Sequence, residues 1–550
     1  MRKRIFGLIL CFCLLIPGLV YGESFKDVMP TVVDPNYEIR TVVPPADIIG
    51  GTNGLAFDSK DNLYVGAVAG VATYKVDTNT GAAGIFLGGP EGGADDIVFG
   101  PDGRMYWNAF FLGKLFTKSA DGEIVTLAEN LPGMNSLAFD NKGRLYATQV
   151  FMGDALWRID LTGNQKNVKT AENLGGLNGF DFGKDGYLYG PLWFKGQVVK
   201  VNVDTGKVEV VADGFTTPAA VNFDSKGNLF AIDTATGEVI KVDVETGKKT
   251  VIVKMEPKLD NLDFDSKDRL YVTNSNANGI YEVDVATGKV RTVTEGRLCF
   301  PQGIAVANNP DGDMLYIADN FAYKRVDAFT GEVFAPNNHS SYPYAASISE
   351  DGQYILMSSW FSNTVQVYDR KTDEQKYVIS GFNGINGTLM LADGSILAAE
   401  EATGNIVKVT DQEGKERSVV AAGLKSPTYM ALAGQDAIYV TEFTAGRVTK
   451  VNLKTGDKKV ICSGLLAPKG IAVNTNGKIL VLDSAARQLL EIDPATGISK
   501  PLVINLAVGL QGFANGGPAA YSLTGVAASK SGSIYITSDL ANTIYKISPK

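Results

Sequence analysis

The chain has 550 residues, of which 45% are hydrophobic and 20% charged, with a formal net charge of −9. That acidity argues against nucleic acid and anionic membrane surfaces as partners, and four cysteines are too few for a disulfide scaffold. The length points to more than one domain, stabilised by large cores rather than crosslinks.

Residues 1–22 read as a signal peptide. Arg2, Lys3 and Arg4 form a basic start, an apolar run extends from Ile5 to Ile16, and Val20 and Gly22 suit cleavage after Gly22. The run is too short to span a bilayer. Cys11 and Cys13 lack the small preceding residue of a lipidation site and are read as apolar filler. The mature protein is therefore expected to be exported, periplasmic or secreted, with no membrane span and a charge of −12. Residues 23–36 form a polar, Pro-containing linker.

One pattern then recurs to the end of the chain. Asn135 to Gly163 (NSLAFDNKGRLYATQVFMGDALWRIDLTG) shows it best, as three short strands reversed by a DNKG turn and a Gly-containing connection, with Thr162-Gly163 turning into a fourth. Aligned on the first turn, the units begin at Asn53, Asp95, Asn135, Asn178, Ala219, Asp260, Gln302, Tyr344, Asn386, Thr428, Lys469 and Thr524. They are spaced by 40 to 43 residues except for a last gap of 55. Four-strand units at this period predict an all-β fold of propeller blades.

Twelve blades exceed the usual four to eight of a single ring. The chain ends suggest the division. The last unit stops after its third strand, TIYKIS, while Tyr37 to Val43 (YEIRTVV) is a spare strand resembling the fourth strands VEVVADG and VRTVTEG. The expectation is two consecutive six-bladed β-propellers, residues 37–288 and 289–550, each closed by an N-terminal outer strand. Tyr37–Val43 would pair with Ile280–Asp284, and Lys289–Glu295 with Thr543–Ile547, leaving few exposed edges. Cys299 and Cys462 would then lie three blades apart, beyond the roughly 7 Å between Cα atoms that a disulfide allows, and both should be free thiols.

The repeats GLAFDSKDNLYV, SLAFDNKGRLYA and GIAVNTNGKILVLDSAARQLLEID resemble NHL repeats. They are also similar to blades of the gluconolactonase/regucalcin family and of virginiamycin B lyase-like propellers. Gly509 to Gly525 (GLQGFANGGPAAYSLTG) looks like the glycine-rich insertion of NHL arrays. The resemblance implies the fold over almost all the mature chain and leaves function open among lactonases, lyases, a strictosidine-type synthase and non-catalytic binding modules.

In a propeller the residue before each first strand faces the central channel. In the first half these are Asn53, Asp95, Asn135, Asn178, Ala219 and Asp260, which include five oxygen ligands, two of them acids. In the second half they are Gln302, Tyr344, Asn386, Thr428, Lys469 and Thr524, with no acid and one cation. Converging carboxylates and amide carbonyls suit a hard cation, Ca²⁺ foremost, which takes six to eight oxygens. The alternative is that such residues only bond backbone groups at the strand start. The resemblance implies a metal held by Asn, Asp and a Glu in this channel. Here Asn53 stands in the register of that Glu.

The connections WNAFFLG, TQVFMGD and GPLWFKG place Trp107, Phe110, Phe111, Phe151, Met152, Trp193 and Phe194 beside Asn108 and Gln149, while IDTATG and TNSNANG, with Asn274, are small and polar. An aromatic wall over a polar floor suits a partly apolar small molecule; packing of these loops against the second half is the alternative. Trp107, Asn108, Phe111, Gln149, Phe151, Trp193 and Asn274 are the expected substrate contacts. Asp319, Glu400, Glu442 and Asp483 at the ends of second strands are read as structural, and Glu400 and Glu401 should face opposite ways. His339, the lone histidine, argues against a Ser-His-Asp triad, a His-based zinc site and the lyase analogy.

Two functions from different classes follow. The first is a metal-dependent lactone or ester hydrolase, in which Ca²⁺ held by Asn53, Asp95, Asn135, Asn178 and Asp260 polarises the carbonyl while Asp95 or Asp260 accepts a proton from water. The second is a binding module for a ligand or protein partner. A lyase or a synthase is more distant.

Overall fold

The computed structural model describes residues 29–45, 48–119, 121–162, 165–309, 312–337, 344–513 and 517–550. The signal-peptide reading and His339 lie outside them. The described residues form no helix; they form eleven four-stranded antiparallel sheets and one of five strands.

Each sheet is built by the same local chemistry. In the first turn an aspartate accepts hydrogen bonds from the backbone two and four residues on, as Asp140 does from Lys142 N (3.0 Å) and Arg144 N (2.8 Å). In the last turn an Asp or Asn accepts from the backbone two and three residues on, as Asp284 does from Ala286 and Thr287, and a glycine with positive φ follows. That glycine packs on a carbonyl of the neighbouring sheet: a Cβ on Gly288 would meet Ile252 O, and one on Gly81 would meet Val293 O. Burial grades along each sheet. The second strands, such as Leu145–Gln149 and Leu270–Asn274, are buried throughout, whereas outer strands such as Val208–Ala212 alternate towards solvent. Strands packed on both faces lose the polar alternation of a half-exposed strand.

The first strands of successive sheets lie side by side: Leu55–Phe57, Ile97–Phe99, Met134–Phe139, Asp181–Phe182, Pro218–Phe223 and Leu259–Phe264, the last also touching the first. Carboxylates tie alternate neighbours, from Asp96 to Leu137 N (2.9 Å), Asp181 to Phe223 N (3.1 Å) and Asp263 back to Phe57 N (3.2 Å). A second series runs from Pro301–Asn309 to Val526–Ala528, which again touch each other. This is how the blades of a propeller are laid out.

The expected strand exchange is corrected. Val290–Thr294 pairs with Gly279–Val283 of its own sheet (Val283↔Val290), because the tight turn held by Asp284 returns the chain at once. Tyr37–Val43 instead completes the last sheet, against Thr543–Pro549 (Tyr37↔Pro549, Val43↔Ile544). An N-terminal outer strand therefore completes only the second series. The 288/289 boundary and the placing of residues 37–43 with the first half fall with it. The linker reading is corrected too, since Thr31–Val32 adds a fifth strand beside Ile504 and Val503.

The two series share a core. Val68, Val71, Phe110 and Phe111 from the first pack with Phe300, Trp360, Phe513 and Tyr521 from the second. The Tyr521 hydroxyl donates to Val68 O and Ala69 O, both at 3.1 Å. Cys299 and Cys462 are buried free thiols.

Candidate functional site

Asn53, Asp95, Asn135, Asn178 and Asp260 all line one cavity of about 510 Å³. Ala219 of the same register does not, and Thr217 stands nearby. Each floor residue sits where the chain turns into a first strand, and backbone bonds fix it there: Asn53 N to Gly66 O at 2.8 Å, Asn178 N to Pro191 O at 3.0 Å. The walls differ. Phe151 meets Trp193 (5.4 Å) and Phe194 (5.8 Å) edge to face on one side, while Thr234, Lys258 and Ser275 stand among the polar residues of the lining. The second series supplies Phe321, Tyr344 and Phe361.

Electrostatics single out the two acids. Burial, reinforced by Asp260 and then Asp96, pushes the Asp95 carboxyl well above the usual range, and burial raises Asp260 as well. Asp260 is oriented by Asn53 Nδ2 (3.2 Å). The Asp95 carboxylate accepts no hydrogen bond among the described residues. Below the cavity floor a further space of about 330 Å³ is lined by Asp96, Asp181 and Asp263. Burial lifts Asp96 and Asp263 to about 7, against the backbone N–H groups they accept. Burial pulls the Lys258 ammonium down to about 8; it lies 5.4 Å from the Phe321 ring centre.

Strain gathers here. Phe151 (φ +67°), Lys258 (φ +81°) and Tyr344 (φ +58°) all line the cavity in the left-handed region, which bulky side chains avoid.

The floor was tested as a cation site by its donors. Two mutually repelling, partly buried carboxylates, one without a hydrogen-bond partner among the described residues, fit a hard cation. The three amide oxygens each already accept a bond: Asn53 from Val68 N (2.9 Å), Asn135 from Ser136 Oγ (3.3 Å) and Asn178 from Gly179 N (3.0 Å). Among the described residues no group of three or more His, Cys, Asp or Glu is placed to hold a metal. A cation here would rest on Asp95 and Asp260 and take further oxygens from amides and water.

Of the expected substrate contacts, Phe151 and Trp193 line the cavity and five do not. Trp107 is fully buried and donates to Glu91 O (2.8 Å). Asn108 sits behind the floor, accepting from Asp95 N (3.0 Å) and Asp96 N (3.1 Å) and donating to Asn135 O. Phe111 belongs to the shared core between the series. Gln149 spans Pro132 O and Trp157 Nε1. Asn274 closes its own turn through Glu256 O, Pro257 O, Asn276 N and Ala277 N. Polar side chains at these bends are consumed by the backbone groups the bends leave unpaired. Phe321, Tyr344 and Phe361 were not anticipated there, because nothing in the repeat pattern says which faces of the two series meet; Lys258, of the first series, precedes the strand that carries Asp260 and falls outside the register counted.

The strand-end acids are structural. Asp483 accepts from Leu466 N (2.9 Å) and Ala467 N (2.8 Å), Glu442 from Lys425 N (2.8 Å) and Glu400 from Asn383 N (3.1 Å), each gripping the chain as it enters the same sheet. Glu401, on the opposite side from Glu400, bonds Asn386 Nδ2 (2.7 Å) and Ala519 N (2.6 Å).

A family model described as a repeat of unknown function (DUF6923) matches residues 117–258. No curated protein matches the chain. Solved structures similar to it include virginiamycin B lyase from Staphylococcus aureus, at 12% identity over 52% of this chain and 96% of that one, with a TM-score of 0.38. A gluconolactonase from Xanthomonas campestris is 16% identical over 45% of this chain and 92% of its own, with a TM-score of 0.37. The extracellular domain of BT4673 from B. thetaiotaomicron is 12% identical, covering 93% of this chain and 82% of that one, with a TM-score of 0.33. The lyase and the gluconolactonase are of the two kinds that the repeats resemble. No helix of the described residues is long and apolar enough to cross a membrane.

Proposed function

We propose that the two series of sheets are two six-bladed propellers and that the cavity at their seam is the active centre of an exported, metal-dependent hydrolase. Its substrates would be lactones or esters of partly apolar small molecules. The observation that carries this reading is the Asp95–Asp260 pair on the floor of an aromatic-walled cavity, with the Asp95 carboxylate unengaged.

A divalent cation on Asp95 and Asp260 would supply the Lewis acid that polarises the scissile carbonyl. The rest falls to the chain. Phe151, Trp193 and Phe194 take the apolar part of the substrate and exclude water from it. Asn53 fixes Asp260, and Asn108 fixes the backbone of Asp95 and Asn135. Asp95, whose carboxylate accepts no hydrogen bond among the described residues, would accept the proton of the attacking water. Purified protein should contain or bind one equivalent of Ca²⁺ and hydrolyse an aryl lactone, and Asp260→Asn should lose both properties; protein that binds no metal with calcium present ends the hydrolase reading.

A second reading is a binding module, favoured by the number of aromatic rings facing the cavity. It predicts ligand binding without turnover and no dependence on metal.

A further inference from the structure

The cavity has a roof as well as a floor, and the roof comes from the second series. Tyr344 stands immediately before the strand Ala345–Glu350, the register that in the first series supplies the floor residues. Its ring is clamped between Phe111 (5.3 Å) and Trp360 (5.0 Å), with Phe361 at 5.8 Å. Its backbone is held in the left-handed region at φ +58°, where an aromatic residue stays only if its surroundings force it. Among the described residues its hydroxyl has no hydrogen-bond partner, and the residue lines the cavity. Of the neighbouring roof groups, Phe321 and Phe361 carry no donor, and Ser362 Oγ shares a hydrogen bond with Thr364 Oγ1 at 2.7 Å.

We propose that Tyr344 donates a hydrogen bond to the reacting carbonyl oxygen of the substrate, so that one active centre is divided between the two halves of the chain. The inference rests on the hydrolase reading and extends it to a catalytic residue from the opposite half. In the step, the water oxygen bonds to the carbonyl carbon and its proton passes to Asp95. The carbonyl oxygen gathers negative charge against the Tyr344 O–H. When the C–O bond to the leaving alkoxide breaks, that proton returns from Asp95 to the alkoxide, and the phenol stays protonated throughout. Burial, the foremost cause, pushes the phenol well above its ordinary value, which suits a donor. The ring clamp holds Tyr344 in place in advance, as a donor to developing charge requires.

The test is Tyr344→Phe in the full chain, which keeps every ring contact and removes only the hydroxyl. With dihydrocoumarin as the aryl lactone and p-nitrophenyl butyrate as the ester, kcat should fall about 100-fold with KM within about twofold. Calcium affinity by calorimetry should be unchanged, at a temperature where melting curves show both proteins folded. A merely structural role would shift KM and the melting midpoint and spare kcat. A variant with wild-type kcat, alongside an inactive Asp260→Asn, overturns this inference and leaves the hydrolase reading standing. A wild-type protein inactive on both probes overturns the two together.

Discussion

The two halves of the molecule are made of the same repeat, yet their corresponding channel positions ended differently. In the first half Asn53, Asp95, Asn135, Asn178 and Asp260 open on a cavity. In the second, the stretch after Gly517 folds over them: Ala519 N donates to Glu401, Leu523 N to Gln302 Oε1, and the Tyr429 hydroxyl to Leu523 O. Thr428 pairs with Thr441 (2.8 Å), and Lys469 is buried, with its ammonium pulled down to about 8. The glycine-rich insertion that looked like a family ornament is thus a plug for one mouth and a wedge against the other. The lesson is that a repeat register marks where chemistry can sit, and the insertions between repeats decide where it is reachable.

The comparison breaks most sharply at the acids. Asp260→Asn keeps shape but removes a charge, and should cut hydrolysis at least 100-fold and calcium affinity more than tenfold by calorimetry. Asn386→Asp in the other half should confer no metal binding and should lower the melting midpoint, since it sets a carboxylate beside Glu401. If Asn386→Asp creates a calcium site, the two mouths are not distinct in kind.

The wedge comes next in size. Tyr521→Ala removes a buried ring packed on Phe300, Trp360 and Phe513 together with two hydrogen bonds. A loss of about 3–5 kcal/mol is expected by denaturant titration, with exposure of the cavity to quenchers of Trp193 fluorescence. A loss under about 1 kcal/mol would mean the halves are not joined through this ring.

Opposite pH dependences should separate the channels further. Asp96 and Asp263 titrate near 7 when folded and near 4 when unfolded. Between those values the folded protein binds more protons, so stability should fall as pH rises from about 4 to 7. Lys469 titrates near 8 folded and about 10.4 unfolded, so the unfolded chain holds more protons there and stability should rise again above about 8, with Lys258 contributing in the same direction. Asp263→Asn should flatten the acid limb of the melting-point profile and Lys469→Met the alkaline limb, each by a few degrees; a profile flat from pH 4 to 10 would refute both assignments.

The smallest effect concerns the proton that the Asp95–Asp260 pair retains. A cation must displace it, so calcium affinity should increase several-fold from pH 6 to 8, with proton release measurable in buffers of different ionisation enthalpy. An affinity independent of pH would mean that the two carboxylates do not share the site.

The sequence by itself determined a good deal. The four-strand period, the Asp-anchored turns and the positions before each first strand are local chemistry. Each depends on a few adjacent residues, so twelve imperfect copies spell it out. For the same reason five floor residues of the first cavity were legible from register alone. The spare strand Tyr37–Val43 was legible as a strand but not in its pairing, because YEIRTVV and KVRTVTE fit equally well as outer strands. A four-residue turn held by Asp284 keeps the second at home, and the first must travel to the last sheet. Trp107, Asn108, Phe111, Gln149 and Asn274 carry the residue types of a binding wall, but groups of nearby bends take up four of them and the other half takes Phe111, and residue type alone shows neither. Phe321, Tyr344 and Phe361 reached the cavity only because two mouths face each other. No repeat encodes that arrangement; the apolar surfaces of the two halves and the Tyr521 wedge decide it by what they bury.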